Sequence, residues 1–219
     1  MLIAGDTLHA GFSEPVFDSQ RTFRAVLEAT SHPGRIVDVG TPFDAPPPLH
    51  PATAAICLAL VDFETPVWIQ AAAGGNTHAT ENATAHATGQ TTEALSQFLR
   101  FHCSSPLAAD PALAAFAVIH APEHMPPLTA FSAGLSDYPD RSTTLLVQVD
   151  DLNTGRRIQL SGPGIKHSRQ LAPAGLPERF WTEWRDNGAL FPRGVDVLFI
   201  CGSDIAALPR TTRVEMTCT

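Results

Sequence analysis

The residues with the clearest capacity for binding chemistry are the Pro-Arg-Thr-Thr segment at 209–212. A guanidinium group beside two hydroxyl groups suits the oxygens of a phosphate or phosphonate, because its planar fork can donate two parallel hydrogen bonds. Arg210, Thr211 and Thr212 are therefore candidate anion-binding residues. The alternative is that Arg210 pairs with a local carboxylate or carbonyl group and has a purely structural role.

A second candidate is the Ser-Gly-Pro-Gly turn at 161–164, which follows a predicted strand. Glycine-rich turns at this point of a fold can hold a phosphate on their backbone N–H groups. Ser161, Gly162 and Gly164 are thus further anion-binding candidates. The complete dinucleotide motif requires a third glycine where this chain has His167, so an ordinary turn remains the alternative.

The segment His-Ala-Pro-Glu-His at 120–124 has the residue order of inverted zinc peptidases. That chemistry needs both histidines on one face of a helix, with the glutamate as base. Pro122 lies inside the segment and two prolines follow it, which disfavours a helix. We predict a loop after a strand, and a metal hydrolase using His120 and His124 remains an alternative.

Lys166 is the only lysine, so a pyridoxal-phosphate Schiff base would have to form on it. Such a site also needs a phosphate cup and an aspartate for the pyridinium nitrogen, and spacing identifies neither. We therefore predict no bound cofactor. A pyridoxal-phosphate enzyme remains the alternative.

Composition restricts the class of protein. The 219 residues are 44 % hydrophobic and 16 % charged, which favours a folded, water-soluble chain over a disordered one. The formal charge is −8 without a basic cluster, which argues against direct nucleic-acid binding. The longest apolar run is far shorter than the roughly 20 residues that span a bilayer. We predict a cytoplasmic protein that binds no membrane.

These candidates must be positioned by alternating helices and strands. In the first predicted helix, Asp18 and Ser19 supply the N-cap, Pro33-Gly34 ends it, and one face is buried. The expected buried residues are Phe23, Val26, Leu27 and Thr30. Further helices are predicted at 52–63, 92–101 and from Pro177 to Asn187-Gly188, with Leu95, Phe98, Leu99 and His102 on one face of the third.

Short apolar runs predict the strands. They lie at 35–39, 66–70, 114–119, 143–149, 157–160 and 195–201, with a second short run before Pro209. Residues 143–149 and 157–160 are expected to form a hairpin or a strand pair. The order of elements predicts a single α/β domain over 1–219, with a mixed β-sheet flanked by helices. Residues 71–90, which lack large apolar side chains, are expected to form a flexible excursion.

Several short segments occur in the order typical of one family, across roughly residues 18–215. They are DSQRTFR (18–24), SHPG (31–34), TPVW (65–68), LRFH (99–102), LSGPGI (160–165), FPRGVD (191–196), CG (201–202) and PRTT (209–212). In this ordered set the chain resembles the PhnH family of phosphonate metabolism.

The resemblance implies a subunit of the carbon–phosphorus lyase core complex, the alpha-D-ribose 1-methylphosphonate 5-triphosphate synthase. With PhnG, PhnI and PhnJ, such a subunit supports transfer of the ribose triphosphate of ATP to an alkylphosphonate, with release of adenine. It also implies a homodimer without a complete active site of its own. The implied fold resembles the large domain of pyridoxal-phosphate-dependent transferases, without the cofactor. A ligand-binding module that holds nucleotide or phosphonate through Arg210 or the 161–164 turn is the remaining alternative.

Overall fold

The computed structural model describes residues 10–40, 44–71 and 84–216, with 84–91 described by their backbone alone. Most of the predicted 71–90 excursion lies outside the described residues, and its last residues belong to a helix. The helices are α1 (Pro15–Ser31), α2 (Pro51–Leu60), α3 (Thr84–Cys103) and α4 (Phe180–Ala189). The strands are β1 (Ile36–Asp38), β2 (Val67–Ile69), β3 (Phe116–Ile119), β4 (Thr144–Gln148), β5 (Ile158–Ser161), β6 (Arg169–Leu171), β7 (Asp196–Cys201), β8 (Asp204–Leu208) and β9 (Arg213–Met216).

Six strands form a mixed sheet in the order β1-β8-β7-β4-β3-β2. The neighbours β2, β3, β4 and β7 are parallel, whereas β8 runs antiparallel to β7 and to β1. This confirms the predicted α/β fold with a mixed sheet and helices. Strands β5, β6 and β9 form a separate antiparallel sheet in the order β6-β5-β9, which the sequence patterns did not predict.

The predicted pairing of residues 143–149 with 157–160, as a hairpin or a strand pair, is wrong. β4 lies between β3 and β7 in the large sheet, and β5 pairs with β6 and β9 in the small one. The side chains of Leu145, Leu146 and Val147 are all completely buried, so β4 needs cover on both faces. A continuous apolar run of this kind is typical of an inner parallel strand rather than of a hairpin arm.

Two hydrophobic cores lie on opposite faces of the large sheet. Leu146 of β4 and Leu198 of β7 belong to the core formed with α1, α2 and α3. Val147 and Phe199, the next residues along each strand, belong to the core formed with α4 and the small sheet. Because side chains alternate between the faces of a strand, this pattern places a helical layer on each side.

The predicted buried face of α1 is wrong except at Val26, which is half-buried against the core. Phe23 and Leu27 are 52 % and 56 % exposed, and the buried residues are instead Asp18, Thr22, Ala25 and Ala29. α1 packs against α2 and β8, where alanine and threonine allow a close approach that larger side chains would prevent. The helix also begins earlier than predicted, at Pro15, and the Asp18 carboxylate accepts a hydrogen bond from the Glu14 N–H at 3.0 Å.

α3 confirms the predicted face, because Leu95, Phe98 and Leu99 are each less than 5 % exposed. The helix starts at Thr84, eight residues before the predicted start at 92. None of the helices in the described ranges combines the length and apolar character needed to cross a membrane.

Candidate anion-binding site

A cavity of about 670 Å³ lies where the small sheet meets the end of α4, and we call it the arginine cavity. It brings together parts of both predicted anion-binding segments: Gly162 from the turn after β5, and Arg210, Thr211 and Thr212 from the connection between β8 and β9. Among the described residues, the lining is Gly162, Pro163, Trp184, Arg185, Gly188, Ala189, Phe191, Arg210, Thr211, Thr212, Arg213 and Val214. Ser161 and Gly164 are not among these residues.

The guanidinium group of Arg210 is saturated with partners from the protein itself. Nε donates to both carboxylate oxygens of Asp196 at 3.2 Å, and Nη2 donates to Asp196 Oδ2 and Ser142 Oγ. Nη1 donates to the carbonyl oxygens of Pro139 at 2.8 Å and Pro192 at 3.3 Å. All five N–H bonds of an arginine side chain are thereby engaged. An anion could bind Arg210 directly only by displacing some of these partners.

Thr211 and Thr212 contact neighbouring segments of the protein mainly through their backbone groups. The carbonyl of Thr212 accepts a hydrogen bond from Trp184 Nε1 at 3.0 Å, and its backbone N–H donates to the Pro209 carbonyl at 2.8 Å. The Thr212 hydroxyl is buried and has no hydrogen-bond partner among the described residues. The carbonyl of Thr211 lies only 3.0 Å from where a Cβ would sit on Gly162, and the φ of +130° at this position also favours glycine.

The remainder of the glycine turn packs against the end of α1. A Cβ on Gly164 would lie 2.2 Å from the Ser31 carbonyl oxygen, and its φ of +80° also favours glycine. Arg169 reinforces the same contact by donating to the carbonyls of His32 and Pro33 at 2.9 and 3.0 Å. The packing of the turn therefore accounts for Gly164 without any ligand.

Two further arginines line the cavity, and no sequence pattern indicated either of them. Arg185 from α4 and Arg213 from β9 are exposed, and neither side chain makes a hydrogen bond or ion pair with a described residue. None of the described residues in the lining is an aspartate or glutamate. Only the three-dimensional contact between α4 and β9 brings these two side chains together, so neither local spacing nor a motif could have identified them.

A second cavity, of about 360 Å³, has a different character. It lies beyond the carboxyl ends of β3 and β4 and includes His50, His120, Glu123 and Asp150 in its lining. His50 Nδ1 lies 3.1 Å from the Gly202 N–H, which donates to it. Burial lowers the pKa of His50 below its ordinary value, against the opposing influence of the Ile200 carbonyl and the Asp150 charge. Acidic side chains here make this cavity unsuitable for an anion.

The His-x-x-Glu-His segment does not form the helix that the zinc peptidase chemistry needs. Residues Pro122–His124 form one 3-10 turn after β3, as the prolines predicted. The ring of His120 contacts the Gln70 carbonyl at 3.1 Å, while His124 is exposed beside Glu123. Across residues 10–40, 44–71 and 84–216, no group of three metal-ligating side chains is arranged to hold an ion.

Lys166 lies in the loop between β5 and β6, where it is exposed. A Schiff-base lysine is normally desolvated so that its amine is neutral and nucleophilic. Lys166 has no such surroundings, and it lines neither of the cavities described above. The structure therefore gives no support to the pyridoxal-phosphate alternative.

Comparison with known proteins gives a consistent result. The chain matches the family described as "Bacterial phosphonate metabolism protein (PhnH)" over residues 10–94 and 85–215. It is 33 % identical over 215 residues to the "Alpha-D-ribose 1-methylphosphonate 5-triphosphate synthase subunit PhnH" of Rhizobium meliloti (strain 1021), covering 98 % of this chain and 99 % of that protein. It is also 32 % identical over 83 residues to the "Putative C-P lyase subunit protein HtxG" of Stutzerimonas stutzeri, covering 38 % of this chain and 43 % of that relative.

Proposed function

The chain belongs to the PhnH family, and on that premise we propose that it is a subunit of the carbon–phosphorus lyase core complex in organic phosphonate catabolism. The observation that carries this proposal is the match to the Rhizobium meliloti synthase subunit, which extends over nearly the full length of both proteins. A relationship of that extent covers the whole fold, including both sheets and the arginine cavity.

The proposed reaction of the complex joins ATP and an alkylphosphonate. A phosphonate oxygen forms a bond to C1 of the ribose as the bond from C1 to the adenine nitrogen breaks. The electron pair of that bond leaves with adenine, and its nitrogen takes up the proton of the phosphonate acid group. The products are ribose 1-phosphonate 5-triphosphate and adenine, and no oxidant or reductant is needed. This chain supports the transfer within the assembly and has no complete active site of its own. Because ATP is a reactant, the proposed location is the cytoplasm.

The proposed partners are the PhnG, PhnI and PhnJ subunits, and the isolated chain is proposed to be a homodimer. A surface suited to such assembly lies on α1, where Val16, Phe17, Phe23 and Leu27 are 78 %, 63 %, 52 % and 56 % exposed. These four side chains, which we call the α1 apolar face, lie opposite the buried alanines of the same helix. Apolar side chains of this size are often covered by another protein chain. We assign this face to another subunit of the synthase.

We also propose that the large sheet and its helices correspond to the large domain of pyridoxal-phosphate-dependent transferases, without the cofactor. The mixed sheet with cores on both faces supports this correspondence. The exposed position of Lys166 fits a member of that fold group that has no Schiff-base lysine.

Co-expression tests the proposed function. The tagged chain should copurify with PhnG, PhnI and PhnJ in a complex of fixed stoichiometry, and by itself it should elute as a dimer. A chain that remains a separate, monodisperse species in the presence of all three partners would contradict the proposal. Synthase activity of the complex assembled with and without this chain then measures its contribution to the transfer.

A further inference from the structure

We propose that the arginine cavity is a nucleotide-binding site in which Arg185 and Arg213 hold the phosphates and Phe191 contacts the base. The proposal rests on the proposed function, since ATP is a reactant of the synthase, and it assigns a ligand class to one cavity. It concerns binding by this chain and assigns no catalytic step to it.

The arginine cavity concentrates positive charge in an acidic protein. The chain has a formal charge of −8, yet the described residues that line this cavity include three arginines and no carboxylate. Arg210 is engaged by Asp196, which leaves Arg185 and Arg213 as the lining cations without partners among the described residues. Two unpaired guanidinium groups beside one cavity favour an anion with several oxygens, such as a polyphosphate.

The cavity also has an apolar wall. Phe191 is 63 % exposed, and Pro163 and Ala189 are exposed beside it in the lining. An exposed aromatic ring next to cationic groups suits a ligand that carries a flat base as well as phosphates, because bases stack on aromatic side chains. The volume of about 670 Å³ lies within the range of roughly 300–1,000 Å³ typical of small-molecule sites.

One feature acts against phosphate binding and helps to orient the ligand. The carboxyl end of α4, at Gly188 and Ala189, carries the negative end of the helix dipole, equivalent to about half a charge. The carbonyls of Asn187 and Gly188 already accept hydrogen bonds from Leu190 and Phe191, which reduces this effect. The positive charges of Arg185 and Arg213 outweigh the partial negative charge of the helix end. We expect the base of the nucleotide, rather than its phosphates, to lie beside the carboxyl end of α4.

Arg210 acts in this site as a positioning residue. Its Nη1 donates to the Pro192 carbonyl, directly after Phe191, and its Nη2 and Nε hold Asp196 at the start of β7. These contacts fix the segment that presents the aromatic ring. Arg210, which the sequence pattern indicated as an anion ligand, therefore positions Phe191 and does not contact the nucleotide itself.

Titration calorimetry at low ionic strength tests the proposal with ATP, tripolyphosphate and adenosine as probes, on the full-length chain and on the assembled complex. We expect ATP to bind most tightly. Arg185→Gln and Arg213→Gln should each weaken ATP binding roughly tenfold or more, because each removes a charged donor. Phe191→Ala should weaken ATP but leave tripolyphosphate unchanged. Arg100→Gln, an exposed arginine on α3, is the matched control and should change neither affinity.

Absence of ATP binding to both the chain and the complex would overturn the proposal, as would unchanged affinity in both arginine variants. Equal affinity for tripolyphosphate and ATP would overturn the contact with the base. Copurification with the partner subunits is measured for each variant. Arginine variants that assemble normally but keep full ATP affinity would refute the nucleotide site and leave the proposed function intact. Variants that no longer assemble would identify Arg185 and Arg213 as partner contacts, which also refutes the site.

Discussion

The guanidinium group of Arg210 and the carboxylate of Asp196 form a bidentate ion pair at the start of β7 in the large sheet. Asp196 is the first residue of β7, and its Oδ1 also accepts the backbone N–H of Arg210 at 2.7 Å. The Arg210 side chain is only 13 % exposed and that of Asp196 is 32 % exposed. Through its remaining donors Arg210 also holds the carbonyls of Pro139 and Pro192. One side chain thus joins three separate segments.

Substitution of Arg210 should therefore affect stability strongly. Arg210→Ala removes the side-chain donors to Asp196 and to two carbonyls, and only the backbone N–H of residue 210 still donates to Asp196 Oδ1. We expect the free energy of unfolding to fall by about 2–4 kcal/mol. Urea unfolding followed by tryptophan fluorescence measures the change. Arg185→Ala is the matched control, because it removes an exposed arginine without partners, and its effect should stay within about 0.5 kcal/mol. Equal effects of the two substitutions would show that the hydrogen bonds and the ion pair of the Arg210 side chain do not stabilise the fold.

These arginines show what the sequence could and could not predict about the site. The pattern at 209–212 correctly marked a place where an arginine side chain is held, and left open whether its partner was a ligand or a carboxylate. Nothing local distinguishes Arg210 from Arg213 three residues later. The difference arises because Asp196, 14 residues earlier in the chain, is brought to Arg210 by the pairing of β7 and β8.

The same limit applies to the fold. Several predicted strands exist because a short apolar run must be buried, and β4 and β7 are clear examples. Which strands pair is decided by distant residues, so the pairing of β5 with β9 could not be read from the segment at 157–160 alone. On α1 the larger side chains Phe23 and Leu27 suggested the buried face, whereas the close contact with α2 selected the alanines.

The reversed face of α1 gives a second prediction. Phe23→Ser with Leu27→Ser removes exposed side chains, so we expect the free energy of unfolding to change by less than about 1 kcal/mol. Copurification with the partner subunits should decrease, because the α1 apolar face is lost. Ala25→Leu is the control for the opposite face: overpacking at a buried alanine should cost about 1–3 kcal/mol. A severe loss of stability in the double variant would place Phe23 and Leu27 in the core instead.

The glycine turn after β5 gives a third prediction. Gly164→Ala places a methyl group against the Ser31 carbonyl, and we expect a loss of more than about 2 kcal/mol in the free energy of unfolding. Gly202→Ala is matched to it, because Gly202 also has a positive φ of +60° but nothing lies within 4 Å of the added methyl group. Its cost should be the backbone strain alone, about 1–2 kcal/mol. Thermal or urea unfolding of both variants measures the difference, and equal costs would mean that the turn does not pack on α1 as described.

The half-buried imidazole of His50 predicts how stability depends on pH. Burial lowers the pKa of His50 in the folded state below the ordinary value of 6.5, so the unfolded chain binds more protons between the two values. The free energy of unfolding therefore increases with pH between the lowered folded-state pKa and 6.5. The stabilising contribution of His50 is fully present above about pH 6.5 and is lost as the pH falls towards the folded-state pKa.

Urea midpoints between pH 7.5 and 5 measure this effect. His50→Asn should flatten the decrease towards low pH, and asparagine remains suitable as the first residue before α2. His167→Asn, which replaces an exposed histidine, is the control. If wild type and His50→Asn lose stability in parallel over this range, the neutral imidazole beside Gly202 does not contribute to the folded state.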